Sequence, residues 1–175
     1  TSRIVREKGW REVAQSCIRG AAGEPCLNCW KCFRKSLLDA ALADDWPAGD
    51  HLDRLFRIGE AQMQLAKIPI KHENVVAYTM NRYEGAHPEM LALARRVELP
   101  GIDVDYLGRW YEPSSAPWPD KYRDFVMKRL DALLGRMTPE DEARFRAWDV
   151  SVLRSGSSNR AATAYGELLQ ATNGV

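Results

Sequence analysis

The four cysteines of the 175-residue chain are crowded into 16 residues, with the spacing Cys17-x8-Cys26-x2-Cys29-x2-Cys32. Two residues between cysteines let both thiolates turn toward one ion, while the intervening backbone N–H groups point at the sulfurs, as in tetrahedral zinc sites. Four thiolates complete the coordination sphere of a structural zinc and leave no open position for a catalytic water. The spacing therefore predicts one structural Zn²⁺ bound by these four side chains.

Two other chemistries use closely spaced cysteines. The three-residue repeat also opens bacterial iron–sulfur motifs, but those continue with Cys-x3-Cys-Pro, whereas "FRKS" follows Cys32 here. Disulfides need an oxidising compartment, and cysteines only three residues apart pair poorly. Zinc is the favoured prediction, and an iron–sulfur cluster, disulfides or free thiols stay open as alternatives.

Short elements must position the cysteines. Residues 2–8 have the pattern of a helix, and residues 10–17 have strand-like apolar spacing. The loop "IRGAAGEP" contains two glycines and a proline and can bring Cys17 back to the later cysteines. Strong helix formers from Arg34 to Ala43 predict a helix that leaves the cysteine loop.

The remainder of the chain is predicted to be mainly α-helical. Asp50 is the expected N-cap of one helix through residue 67, with Met63 on its apolar stripe, and Tyr122 and Phe125 belong to the apolar side of a later helix. Thr138 marks the start of another. Four prolines make residues 100–119 a connection with one short helical turn near 104–110. The predicted helices span residues 51–67, 71–85, 87–99, 121–137, 138–153 and 160–171.

Composition limits the function classes. Hydrophobic residues make up 45% of the chain and its net charge is +1, which predicts one ordinary core and no general attraction to nucleic acid or anionic membranes. No apolar run reaches the length of a membrane span and no signal peptide is visible, so we expect a cytoplasmic protein without membrane contact. Charge is nevertheless uneven, because residues 1–36 carry eight Lys or Arg against three Glu.

The cysteine region resembles the C-terminal zinc segment of the 7-cyano-7-deazaguanine synthase family. The resemblance rests on the four-cysteine spacing, on the "SC" of Ser16 and Cys17, on "TSRIV" upstream and on "KCFRKSLL" leading into a helix. It covers roughly residues 1–43. Members of that family are PP-loop ATP pyrophosphatases with an adenine nucleotide alpha-hydrolase-like α/β fold.

The resemblance implies an ATP-dependent ligase reaction, in which a carboxylate is adenylated and ammonia displaces AMP. In that family a Ser-Gly-Gly-x-Asp-Ser loop upstream of the zinc segment holds ATP, and this sequence has no such loop; "SGSSN" at 155–159 lacks the second Gly and the Asp. We therefore expect ATP and Mg²⁺ to bind a PP-loop domain or chain upstream of Thr1. Catalytic residues would lie there, and this chain alone would be inactive.

The fold expected on these grounds is mainly α. Residues 1–45 would form a four-cysteine zinc knuckle on a short α/β piece that ends a PP-loop ATPase-like domain, and residues 46–175 a helical extension that could serve as lid, scaffold or homodimer interface. The alternative is a non-enzymatic zinc-knuckle module for RNA or a protein partner, in which Trp30 and Phe33 stack on bases beside Lys31, Arg34 and Lys35. A helical hydrolase is a third hypothesis, with His51, His72 and His87 as candidate bases or ligands and Glu84 and Glu89 near His87.

Overall fold

The structure is a computed structural model that describes residues 2–11, 13–67, 69–97 and 104–147. Within these ranges the protein is mainly helical, with eight α-helices, two short 3₁₀ turns at Asp105–Gly108 and Glu112–Ser115, and one isolated bridge between Trp110 and Arg136 in place of a sheet. The helices are α1 (Ser2–Glu7), α2 (Trp30–Ala43), α3 (Gly49–Phe56), α4 (Gly59–Leu65), α5 (Glu73–Met80), α6 (Pro88–Val97), α7 (Asp120–Leu134) and α8 (Pro139–Ala147).

The main core lies between α2, α3, α4, α5 and α6, which each contribute an apolar face. Phe33 at its centre is 0% exposed, stacks on Trp30 with ring centroids 5.4 Å apart, and meets the edge of Phe56 at 5.3 Å. Removing a large, closely packed side chain abolishes many contacts, so these three aromatic rings contribute strongly to the stability of the core.

Helix α2 was predicted from its helix formers and is confirmed, but it begins four residues earlier, at Trp30. The cause is a cap: the sulfur of Cys29 accepts a hydrogen bond from the backbone N–H of Cys32 at 3.4 Å. This bond satisfies one of the N–H groups that every helix leaves unpaired at its start. The cysteine loop therefore nucleates the helix that carries Trp30 and Phe33 into the core.

The single helix predicted between residues 50 and 67 is wrong, because the chain breaks into α3 and α4. Ile58 takes an extended conformation at the break and is buried, and Gly59, a poor helix former, starts the next helix. The break changes the phase of the apolar stripe. Met63, expected to face inward, is consequently exposed, while Ala61 and Leu65 reach the core.

The N-terminal and C-terminal elements pack less tightly than the sequence suggested. The strand expected at residues 10–17 is absent from the described part of that segment, which forms turns and irregular backbone, because no neighbouring strand is there to pair with it. Helix α7 forms as predicted but none of its residues is buried, and Tyr122 and Phe125 are exposed.

From residue 104 onward the proline-rich segment contains two short 3₁₀ turns where one turn was expected. Arg136 ties it to α7 through ion pairs with Asp131 at 2.7 Å and Glu112 at 2.6 Å. The predicted start of α8 is also confirmed, since the side chains of Thr138 and Asp141 each accept a hydrogen bond from the other's backbone N–H at 3.1 Å.

The described helices do not test three of the expectations from the sequence. The last predicted helix, at 160–171, and the "SGSSN" string lie outside the described residues. The boundary between residues 45 and 46 stays a prediction, although α2 belongs both to the cysteine loop and to the main core. In the described ranges, every helix is too short or too polar to cross a bilayer.

Two phenylalanines test this division of the molecule. We expect Phe33→Ala to lower the free energy of unfolding by about 3–5 kcal/mol, because it empties a packed aromatic site. The matched control is Phe125→Ala on α7, where the side chain is 59% exposed and the expected loss is within about 0.5 kcal/mol. Urea unfolding of both variants measures the difference, and equal losses would contradict the exposed position of α7.

Candidate metal centre

The four cysteine sulfurs converge on one point. Their ligand atoms all lie within 4.8 Å of one another, and the sulfurs of Cys26 and Cys32 are 3.8 Å apart. Four thiolates at about 2.3 Å from a tetrahedral zinc are about 3.8 Å from each other. The residues predicted as ligands from spacing alone are therefore brought together at distances that fit a single ion.

The sulfurs are not paired covalently. All four cysteines are free thiols, and the 3.8 Å between Cys26 and Cys32 is far longer than a disulfide bond of about 2.05 Å. Three of the four are buried and Cys26 is half-buried. A four-cysteine group of this kind can hold a metal ion.

Backbone N–H groups point at the sulfurs. Cys26 donates its N–H to the sulfur of Cys17 at 3.5 Å, and the N–H of Cys32 reaches Cys29 in the same way. The N–H groups of Cys26 and then Arg19 favour the thiolate form and lower the pKa of Cys17 to about 6. Such hydrogen bonds to sulfur stabilise negative charge that a cation would otherwise have to offset alone.

The pKa of Cys32 is shifted in the opposite direction to that of Cys17. Burial first, and the neighbouring sulfurs of Cys29 and Cys17 next, raise the pKa of Cys32 to about 12, so without a cation its sulfur keeps its proton at neutral pH. A pocket of four sulfurs cannot hold several negative charges unless a positive ion joins them. Metal binding would release this proton, which makes affinity rise with pH.

Polar contacts attach the cysteine loop to the helices. Lys31 on α2 donates to the carbonyl of Ser16 at 2.6 Å, while within the loop itself Gln15 donates to the carbonyl of Cys17 at 2.7 Å. Arg19 forms an ion pair with Glu60 on α4. Because these groups are largely exposed, each contact contributes only about 0–1 kcal/mol.

The surroundings of the cysteines are otherwise loosely packed. The sulfurs form a cluster separate from the main core, and in residues 2–11 and 13–29 only Cys17 and Cys29 are buried. Four large apolar side chains on this segment face solvent: Trp10, Val13, Ile18 and Leu27. A cavity of about 210 Å³ lies between the loop and α2, with Arg11, Leu27, Lys35 and Asp39 among its walls.

The remaining candidates from the sequence are scattered. Trp30 and Phe33 are buried in the main core and so cannot stack on bases, while His51 lies at the start of α3 away from the cysteines. His72 precedes α5, where burial lowers its pKa and its Nδ1 lies 3.5 Å from the indole N–H of Trp30.

His87 and Glu89 do meet, but the third member of their cluster is Asp53 rather than Glu84. Asp53 was missed because it is 34 residues away, and no local spacing indicates it.

Comparison with known proteins shows the family of this chain. The sequence model of a family described as "Family of unknown function (DUF6395)" matches residues 1–149. The chain therefore belongs to the DUF6395 family, and the match includes all four cysteines and the whole described helical part. No curated protein and no solved structure matches the chain.

Gly20 tests how tightly the loop is closed. A Cβ at this position would lie 2.8 Å from the backbone nitrogen of Cys26 and 2.9 Å from the carbonyl carbon of Pro25, inside contact distance of rigid backbone. We expect Gly20→Ala to open the loop and reduce zinc affinity at least about 10-fold, since the ligands must shift to remove the clash. Competition with a chromophoric chelator measures the affinity.

Gly59→Ala is the matched control, because a Cβ at the start of α4 meets nothing within 4 Å. We expect this variant to bind zinc as the wild type does. If Gly20→Ala and Gly59→Ala have the same affinity, the close approach of Gly20 to Cys26 is not part of the metal centre.

Proposed function

We propose that Cys17, Cys26, Cys29 and Cys32 bind one structural Zn²⁺ that folds the N-terminal segment onto α2. The observation that carries this proposal is the convergence of four reduced sulfurs with a 3.8 Å separation that fits one tetrahedral ion. An iron–sulfur cluster fits less well, because it places several iron atoms between its cysteines and so spreads their sulfurs farther apart. With four protein ligands the zinc has no position for substrate, so its role is to stabilise the fold.

We further propose that the DUF6395 chain is the zinc-bearing part of a PP-loop ATP pyrophosphatase-like enzyme, which activates a carboxylate with ATP and transfers nitrogen to it. The four-cysteine spacing and its exit into a helix support this proposal, because they resemble the deazaguanine synthases. ATP and Mg²⁺ would bind a PP-loop domain or chain upstream, and the zinc would fix the end of that domain. The substrate-activating residues would belong to that domain.

The exposed apolar side chains near the zinc loop support a protein contact at this end. Trp10, Val13 and Ile18 lie on a segment without a core of its own, and Ile18 is 92% exposed. Burying such groups against a neighbouring domain would remove apolar surface from water and stabilise the contact. The loop is thus suited to be covered by the PP-loop domain.

The second candidate is a zinc module that binds RNA. The observation in its favour is the exposed basic group of Arg6, Lys8 and Arg11 beside the cysteine loop, within a segment of strongly positive charge. Against it, the two aromatic residues expected to stack on bases are buried. RNA binding would then rest on phosphate contacts alone and would weaken steeply with salt.

Zinc binding is tested by Cys29→Ser. We expect the wild type to contain one zinc per chain and Cys29→Ser to lose it, together with about 2 kcal/mol or more of stability, because metal binding is coupled to folding. Elemental analysis measures the metal and thermal unfolding the stability. Cobalt substitution of the wild type should give the strong visible absorption of a tetrahedral thiolate site.

Ile18→Ser is the control in the same loop, since its exposed side chain touches no ligand, and we expect unchanged zinc content. Native protein that contains iron with visible absorption, or no metal at all, would contradict the zinc assignment. A Cys29→Ser variant that retains a full equivalent of zinc would contradict this ligand set.

The enzymatic proposal is tested on the product of the complete gene. We expect that protein to convert ATP to AMP and pyrophosphate in the presence of a carboxylate substrate, and Ile18→Asp to reduce the rate while keeping its zinc. If the loop docks on the PP-loop domain, the rate should fall while the zinc content stays the same. Zinc-containing protein that forms no AMP with a panel of carboxylates, but binds RNA with a steep salt dependence, would favour the second candidate.

A further inference from the structure

A second cluster of metal-binding side chains lies outside the cysteine loop. It joins Asp53 on α3, His87 immediately before α6, and Glu89 in the first turn of α6, with ligand atoms all within 4.8 Å of one another. The side chains of His87 and Glu89 are 11% and 13% exposed, whereas that of Asp53 is 41% exposed. The cluster is therefore largely buried at His87 and Glu89, and solvent reaches it at Asp53.

The imidazole of His87 is held in one orientation. Its ring stacks on Phe56 with an interplanar angle of 15°, and its backbone N–H donates to the hydroxyl of Tyr83 at 2.9 Å. Gly49 lies against the ring edge, since a Cβ there would be 3.7 Å from Cδ2 of His87. An imidazole that is already held by stacking and by its backbone loses little further rotational freedom when it binds a metal ion.

The two ring nitrogens differ in their contacts. Nε2 lies 3.1 Å from Oδ1 of Asp53 in hydrogen-bond geometry, which assigns the ring proton to Nε2. Nδ1 lies 3.2 Å from Oε2 of Glu89, but the two atoms are not aligned for a hydrogen bond. Nδ1 is buried, and the described part of the chain offers it no hydrogen-bond partner.

This arrangement leaves two electron-pair donors close together. With the ring proton on Nε2, Nδ1 carries a lone pair 3.2 Å from Oε2 of Glu89 but not directed at it, and two electron-rich atoms at this distance repel unless a cation lies close to both. A second proton on Nδ1 would not be in line with the Glu89 oxygen, so it would form no directed bond. An ion placed to one side of the line between the two atoms fits better.

We infer that Nδ1 of His87 and the carboxylate of Glu89 bind a divalent metal ion, with Asp53 orienting the ring through Nε2–H. Two ligands about 2.1 Å from one ion and about 100° apart are about 3.2 Å from each other, which is the separation of these atoms. A carboxylate that accepts the other N–H of a metal-bound histidine is the usual outer partner of such a ligand. Water would complete the coordination of the ion.

The chemistry of the donors distinguishes this site from the cysteine site. One imidazole and carboxylate oxygens suit ions such as Mn²⁺ and Zn²⁺, and Mn²⁺ in particular prefers oxygen ligands and avoids thiolates. Two protein ligands with water leave room for an exchangeable group, unlike the closed four-cysteine site. The inference does not depend on the role proposed for the cysteines.

Mn²⁺ binding to the zinc-loaded protein tests the site, followed by electron paramagnetic resonance of the free ion. We expect one saturable Mn²⁺ per chain, with paramagnetic broadening of the His87 imidazole signals. Glu89→Gln removes the ligand charge at nearly constant shape and should weaken binding at least about 10-fold. Asp53→Asn should weaken it less, because it removes an orienting partner and not a ligand.

Glu84→Gln is the matched control, since Glu84 is exposed and outside the cluster. It should bind Mn²⁺ as the wild type does, and thermal unfolding shows that Glu89→Gln remains folded. The inference is overturned if no saturable Mn²⁺ binding occurs below millimolar concentration, or if Glu89→Gln and Glu84→Gln bind equally. Loss of stability in Glu89→Gln without any wild-type Mn²⁺ binding would identify the cluster as a charged imidazolium between two carboxylates.

Discussion

The convergence of four sulfurs on one point is the constraint on which the N-terminal part of this protein depends. Among the described residues before α2, Cys17 and Cys29 are the only buried ones, so hydrophobic packing contributes little to the stability of that segment. Exposed polar contacts such as the Arg19–Glu60 ion pair add about 0–1 kcal/mol each. The structural zinc that we propose would supply about 10–16 kcal/mol of apparent binding free energy, enough to fold a segment that has almost no core.

The same sulfurs connect this segment to the helical core. Cys29 caps α2, Cys32 lies in its first turn, and the next residue, Phe33, is at the centre of the main core. Consecutive residues thus point toward the metal centre and toward the packed aromatic rings. A disturbance at the sulfurs would reach the start of α2, and from there the packing of Trp30 on Phe33.

Features set by local sequence were predictable and those set by distant contacts were not. The grouping of the four cysteines follows from their spacing, and the start of α8 follows from Thr138 and Asp141, which cap the helix within four residues. The break between α3 and α4 depends on how Ile58 packs into the core, which helix propensity does not report. Asp53 lies on α3 and His87 just before α6, 34 residues further along, so only the tertiary structure brings them together.

X-ray absorption at the zinc edge of the native protein tests the four-cysteine site, because it reports the number, type and distance of the ligands around the metal. We expect one zinc per chain surrounded by four sulfur atoms at about 2.3 Å, with no nitrogen or oxygen ligand. A first shell dominated by nitrogen or oxygen, a metal–metal distance typical of a cluster, or protein purified without metal would contradict this expectation.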